Sequence, residues 1–176
     1  RSTLGLLASL ALLWPGSGLA APADQPPASD AAYWQSVVER ADSPPPQKAI
    51  ACKNLAVYGS AEAVAPLAKL LPDPQLSSWA RIALEAMPYE EAGAALRKAA
   101  QDLEGRELVG VIQSLVVRQD QQAVDLLKKR LAGDDVKAAA AAAVALGQIA
   151  TSPALEALEA ALNDPRPEVR NAAAEG

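Results

Sequence analysis

The chain contains no histidine, no phenylalanine and only one cysteine, Cys52. The lack of histidine removes the commonest general base and the commonest metal ligand of proteins. A single cysteine can form no internal disulfide bond and cannot supply the ligands of a structural zinc site. These shortages disfavour an enzyme that works by acid–base or metal chemistry, and we expect no cofactor.

Aromatic residues are also scarce, at 3% of the chain, although hydrophobic residues reach 51%. The apolar residues are therefore mainly Ala, Leu and Val, a composition typical of closely packed helices rather than of strands. Acidic side chains outnumber basic ones, 21 to 16, and the net charge is −5. An acidic chain has no overall attraction for phosphate backbones. We predict an all-α fold and expect no nucleic-acid partner.

The first residues have the pattern of a secretory signal peptide. Residues 4–14 are apolar and uncharged, Arg1 precedes them, and small residues then offer cleavage frames at 18–20 and 21–23. Such an order is typical of a leader, and the apolar stretch is shorter than the roughly 20 residues that span a bilayer. We predict a signal peptide over residues 1–23, hence an exported protein that is not inserted in the membrane once the signal is removed.

A repeat of about 30 residues runs through the rest of the chain. One leucine column is followed, eight residues later, by an alanine column and, twelve residues later, by a second leucine column. The three columns are Leu55, Leu84, Leu115 and Leu146; Ala63, Ala92, Ala123 and Ala154; and Leu67, Leu96, Leu127 and Leu158. Turn and capping residues divide each unit into two helices. The first helices are predicted near 47–57, 76–87, 106–117 and 135–148, and the second near 61–71, 90–103, 120–132 and 153–163.

A single helix pair of this kind cannot bury its apolar stripe alone, because burying a leucine gains only about 1.5–3 kcal/mol against the entropy of ordering the backbone. Stacking successive pairs buries a shared core. We therefore predict an α-α superhelix, a solenoid of stacked antiparallel helix pairs, over residues 47–176. It has four complete units and a fifth cut off at the end, so we expect the natural chain to continue.

Residues 24–46 separate the leader from the repeats. An Ala/Pro-rich spacer leads to a predicted helix that carries Tyr33, Trp34, Val37, Val38 and Ala41 on one face. This helix is interpreted as a cap over the first repeat. A detachable amphipathic segment that docks on a partner is the alternative.

Two segments carry a family signature. The stretch 162–174 and the stretch 135–149 both have an Asp-rich turn, then Val followed by Arg or Lys, then an alanine run. They resemble HEAT repeats of the phycobilisome-lyase type, and the resemblance extends over about 47–176, more loosely where Trp79 and Arg81 replace small residues. The resemblance implies a HEAT-like solenoid. Exported proteins of this kind are similar to many in Gram-negative bacteria, so a periplasmic or extracellular location is expected.

Enzymes with HEAT-like repeats fit this chain poorly. The deoxyhypusine-hydroxylase type needs histidines, the DNA-glycosylase type needs a cationic groove, and bilin lyases act in the cytoplasm, which conflicts with export. Cys52 falls in a helix column shared with Ile112 and Ala143 and is interpreted as a small buried hydrophobic residue. The acidic pairs 90–91 and 134–135 are placed to complement helix N-termini.

In the first three units a lysine lies fourteen residues after the first leucine column, and in two of these units another cation directly precedes that lysine. The predicted partner-binding residues are Lys69, Arg97, Lys98, Lys128 and Lys129. In HEAT units the second helices usually line the concave face, so these cations would meet an acidic protein or polyanionic polymer. A purely structural role is the alternative, because cations near helix C-termini offset the macrodipole by about 0.3–1 kcal/mol each.

Three functions follow from these observations. The preferred one is a noncatalytic protein-protein interaction scaffold in the cell envelope, with a protein partner and no small-molecule ligand. The second is an accessory region of a larger exported enzyme whose catalytic domain lies outside this chain. The third is a structural spacer without a specific ligand.

Overall fold

A computed structural model describes residues 26–176, so the predicted signal peptide at residues 1–23 lies outside the described residues. Within this range the fold consists of α-helices joined by short turns, without strands. The helices are α1 (Ala31–Glu39), α2 (Pro45–Tyr58), α3 (Val64–Ala68), α4 (Ser77–Ala86), α5 (Glu90–Asp102), α6 (Gly105–Val117), α7 (Val124–Leu131), α8 (Val136–Ile149), α9 (Ser152–Ala161) and α10 (Pro167–Glu175). The predicted all-α fold class is confirmed.

The helices form two layers. In the first layer α2, α4, α6, α8 and α10 each contact the next member, and in the second layer α3, α5, α7 and α9 do the same. Helices of the second layer also pack on the first-layer helix that follows them in the chain, as α7 packs on α8. This arrangement is the predicted α-α superhelix of stacked helix pairs. No helix among residues 26–176 combines the length and the apolar character needed to cross a membrane.

The repeated leucines and alanines form the core between the layers. Each member of the three columns is buried, and Leu67, Leu96 and Leu127 are fully inaccessible. The alanines allow the helix axes to approach closely, because their side chains end at Cβ. The periodicity of the sequence therefore identified the residues that hold the two layers together.

The second helix of the first pair is shorter than predicted. A 3-10 turn occupies Ala61–Ala63, and α3 begins only at Val64. Pro66 consequently lies in the first turn of α3, where its missing N–H leaves no intrahelical bond unmade. A similar 3-10 turn at Gln121–Ala123 precedes α7.

Aspartates of the inter-helix turns cap the helices that follow. The Asp135 carboxylate accepts hydrogen bonds of 3.0 and 3.1 Å from the backbone N–H groups of Lys137 and Ala138, at the start of α8. Asp30 caps α1 in the same way through the Tyr33 N–H group. These bonds satisfy donors that have no partner within the helix.

Helix α1 packs against α2 and α3 and so covers the first helix pair. Trp34, Val37 and Val38 are buried there, and the Trp34 indole N–H donates to the carbonyl oxygen of Pro27 at 3.0 Å. The predicted apolar face was too wide, because Tyr33 is 40% exposed and α1 ends before the exposed Ala41.

Candidate protein-binding face

A groove of ≈ 510 Å³ lies between α3 and α5 in the second layer. Its lining is mainly small and apolar, and includes Val64, Ala65, Ala68, Leu71, Ala95 and Ala99. The small side chains leave the space open, because alanine occupies lining positions where a bulkier residue would fill the gap. The groove can therefore accept apolar side chains of another molecule without a rearrangement of the core.

Two of the predicted partner-binding residues lie at this groove. Lys69 is at the C-terminal end of α3 and Lys98 is on α5, and both side chains are exposed. The Lys98 ammonium group is 2.9 Å from the Asp102 carboxylate, in a pair with 76% and 56% exposed side chains. An exposed pair of this kind contributes only about 0–1 kcal/mol, so Lys98 can exchange Asp102 for another carboxylate at little cost.

Lys128 and Lys129 lie further along the same layer. Both are exposed in the last turn of α7, which contacts α5. They do not line the groove between α3 and α5. The structure therefore brings Lys69 and Lys98 together at one groove and places the other two lysines on the neighbouring helix.

Arg97 has a different environment from the lysines. Its guanidinium is 2.5 Å from the Asp120 carboxylate and 2.6 Å from that of Glu90, and its side chain is 17% exposed. The hydrogen bond from Arg97 lowers the pKa of Glu90. Because Asp120 also accepts from the Gln122 N–H group, these contacts connect α5 to the turn that leads into α7. The guanidinium of Arg97 is thus already occupied by internal carboxylates.

Gly93 makes room for this ion pair. A Cβ atom at position 93 would lie 3.1 Å from the Asp120 carboxylate and 3.2 Å from the Arg97 guanidinium. A larger residue at position 93 would require the Asp120 carboxylate and the Arg97 guanidinium to shift.

Three arginines that the sequence did not single out as bridging residues connect successive helix pairs through backbone carbonyls. Arg118 donates to Leu84, Met87 and Tyr89 around the end of α4. Arg130 donates to Ala100 and Gln101 near the end of α5, and Arg166 donates to Leu131, the last residue of α7, and to Gly133 in the following turn. Arg130 follows the predicted lysine column in the sequence, yet its guanidinium is directed at helix-end carbonyls. Each arginine lies about one repeat away from the carbonyl groups that it bonds. Its neighbours in the sequence therefore give no indication of these contacts.

Cys52 is fully buried in α2, in agreement with the predicted hydrophobic role. Burial raises the pKa of the thiol to about 12. A thiol in this environment is a poor nucleophile, because the thiolate is the reactive form. Among residues 26–176, no three metal-ligating side chains of the His, Cys, Asp or Glu type are grouped around a common point.

The family model for HEAT repeats matches residues 108–176. The match supports a HEAT-repeat protein. It begins within α6 and extends through α10, whereas the groove between α3 and α5 lies in the earlier units, which continue the same two-layer stacking. A search of curated proteins found no match.

Proposed function

We propose that the protein is a noncatalytic scaffold of the bacterial cell envelope that binds a protein partner along its second-layer helices. HEAT repeats commonly mediate protein–protein interactions, and solenoids offer extended surfaces for such contacts. The observation that carries the proposal is the groove between α3 and α5, with its apolar lining and the exposed lysines Lys69 and Lys98 at its edge.

The groove favours a partner segment that carries both small apolar and acidic side chains. Small apolar side chains would fill the alanine-lined space, and carboxylates beside them would pair with Lys69 and Lys98. Further carboxylates would reach Lys128 and Lys129 on α7. Opposite charges at such a surface accelerate encounter and select the partner, and the apolar contact supplies most of the affinity.

The binding face can be tested with two kinds of variant. The full chain would be used to capture partners from an envelope extract by crosslinking, and the affinity for the captured protein would then be measured. Lys98→Glu combined with Lys129→Glu should weaken binding about tenfold or more, and Ala65→Trp, at an exposed groove position, should do the same by filling the space.

Lys137→Glu is the matched control, because Lys137 is an exposed lysine of the first layer. It should bind as the unmodified chain does. Full capture by both the double lysine variant and Ala65→Trp, with unchanged circular dichroism spectra, would contradict the proposed binding face.

The envelope location rests on the predicted leader at residues 1–23. Fusion of residues 1–30 to a reporter without its own signal should export the reporter from Gram-negative cells. Mass spectrometry of the product should find cleavage after residue 20 or 23. A reporter retained in the cytoplasm with the leader intact would refute the location without affecting the binding face.

A further inference from the structure

The solvent side of the first layer is a surface that the proposed protein-binding face does not use. In α2, α4, α6 and α8 the first leucine column is buried, and the positions five before, two before and two after each leucine form one stripe of the helix. These positions are Ile50, Lys53 and Val57 on α2; Trp79, Ile82 and Ala86 on α4; Gly110, Gln113 and Val117 on α6; and Ala141, Val144 and Gln148 on α8. Consecutive helices of the layer are in contact, so the four stripes form one surface, called the outer face below.

The outer face exposes several large apolar side chains. Val57 is 71% exposed, Val117 65%, Ile82 53% and Trp79 43%. A groove of ≈ 380 Å³ between α6 and α8, lined in part by Val117 and Val144, continues the apolar surface. Single exposed apolar residues are common, but a set that extends over neighbouring helices is typical of an interaction site.

The charges of the outer face have one sign. Within residues 26–176, every exposed charged residue of α2, α4, α6 and α8 is a cation, namely Lys53, Arg106 or Lys137. The two carboxylates of these helices, Glu85 and Glu107, each pair with an arginine and are only 16% and 21% exposed. The four helices contain five basic and two acidic residues, a net charge of +3, although the whole chain carries −5.

Exposed carboxylates lie on other helices. In the second layer they include Glu91 on α5 and Glu156 on α9. Helix α10 carries exposed carboxylates at Glu168 and Glu175, so the surface without exposed carboxylates ends at α8. Cations without exposed carboxylates are thus a property of the outer face, whereas the second layer has both signs of charge.

This combination of side chains favours a lipid surface over a protein. Two copies joined through their outer faces would bring cations together without opposite charges. Lysine is depleted at protein–protein interfaces, whereas on a membrane its long stem lies along apolar groups while the ammonium reaches the phosphates. Tryptophan is enriched at the boundary between water and hydrocarbon.

We propose that the outer face docks peripherally on a membrane that contains anionic phospholipid. Trp79, Ile82 and Val117 enter the head-group region, and Lys53 and Lys137 lie beside the phosphates. The acidic residues elsewhere do not prevent docking, because charges further away than about 8 Å are largely screened at physiological ionic strength. The groove between α3 and α5 lies in the other layer and stays accessible to a protein partner.

Vesicle flotation of the full chain tests the docking. One set of vesicles contains equal amounts of phosphatidylglycerol and phosphatidylethanolamine, and the other contains phosphatidylcholine alone. All forms carry Leu7→Asp, Leu10→Asp and Trp14→Gly, so that the apolar stretch at residues 4–14 does not itself bind lipid. The chain should float with the anionic vesicles and not with phosphatidylcholine, and added salt should release it.

Two pairs of substitutions with the same change in charge identify the face. Lys53→Glu with Lys137→Glu should lower the vesicle partition coefficient about tenfold or more. Lys98→Glu with Lys129→Glu, on the second layer, is the matched control and should lower it less than about twofold. Equal losses from the two pairs would mean that only the total charge matters, and would overturn the proposed face.

The apolar contact is tested at Ile82 and Trp79. Ile82→Gln should lower the partition coefficient about tenfold without an appreciable change in unfolding temperature, because Ile82 is more than half exposed. Anionic vesicles should shift the tryptophan emission to shorter wavelength, and Trp79→Gln should abolish the shift, since the remaining Trp34 is already buried.

Three results would overturn the proposal. They are no binding to the anionic vesicles, equal binding to both kinds of vesicle, and a dimer in sedimentation equilibrium that Ile82→Gln dissociates while no vesicle binding is detected. The last result would assign the outer face to contacts between copies of the chain. None of them affects partner capture by the groove between α3 and α5, so this proposal and the proposed function can fail separately.

Discussion

The Arg118 guanidinium donates a hydrogen bond of 2.6 Å to the carbonyl oxygen of Met87, immediately after α4. The same side chain also donates to the carbonyl oxygens of Leu84 and Tyr89. Carbonyl groups at a helix C-terminus have no intrahelical donors. Arg118, which follows α6, therefore supplies hydrogen-bond donors to the C-terminal carbonyl groups of α4. This contact joins two successive helix pairs.

Replacing Arg118 by methionine should destabilise the fold. The variant keeps the apolar stem but removes every donor, and an unpaired buried carbonyl costs about 1–3 kcal/mol. Arg118→Lys should recover only part of this loss, because an ammonium group cannot reproduce the planar fork. Urea unfolding monitored by circular dichroism gives the free energies. Lys128→Met, at an exposed position on α7, is the control and should change the stability by less than about 0.5 kcal/mol.

The fold could be predicted from the sequence because its core is periodic. The leucine and alanine columns mark buried positions in every pair, and the aspartates and prolines mark the turns. Arginine contacts could not be predicted in the same way, since charge patterns do not reveal whether a guanidinium points to solvent or to a carbonyl one repeat away. Arg97 and Lys98 illustrate this limit, because they are adjacent cations on α5 with different environments. Arg97 is held by Asp120, whereas Lys98 is exposed at the groove.

The Arg97–Asp120 pair should be important for the junction between α5 and α7. The Asp120 side chain is only 7% exposed, so removal of its cation leaves a largely buried carboxylate without its closest partner. Arg97→Met should therefore cost about 1–3 kcal/mol in stability. Asp120→Asn should cost less in the Arg97→Met background than alone, and the difference in a double-mutant cycle measures the coupling. Additive losses would mean that the two side chains act independently.

Cys52 should resist modification in the folded protein. Burial raises the pKa of this thiol to about 12, and the side chain has no exposed surface. A thiol-reactive dye should label the native chain at the rate of transient unfolding and label it rapidly in denaturant. Because Cys52 is the one cysteine of the sequence, the rate of dye labelling reports on this residue alone. Rapid native labelling would contradict its buried position.

Asp164 should make the stability depend on acid pH. Hydrogen bonds from the Arg166 side chain and backbone lower the pKa of Asp164 from 3.8 to about 2. A carboxyl whose folded-state pKa is depressed stabilises the fold above its unfolded pKa, and this contribution disappears as the pH falls through the folded value. The unmodified chain should therefore lose stability more steeply than Asp164→Asn between pH 3.8 and about 2.

Chemical unfolding at several pH values can detect this difference. Glu159→Gln, at an exposed carboxylate of α9, is the control and should leave the slope close to that of the unmodified chain. Parallel pH profiles for the unmodified chain and Asp164→Asn would show that the contact with Arg166 has no net effect on stability.

Trp34 provides the test that separates a capping helix from a detachable one. The residue is 5% exposed, α1 packs against the first helix pair, and the indole N–H group donates to the Pro27 carbonyl oxygen. If α1 is an integral cap, Trp34→Ala should cost about 3–5 kcal/mol, and deletion of residues 24–46 should lower the unfolding temperature sharply. Tyr33→Ala is the adjacent control, with a smaller expected loss of stability because Tyr33 is 40% exposed. A deletion that leaves the unfolding temperature unchanged would instead support the detachable segment, because α1 would then contribute nothing to the stability of the helices it covers.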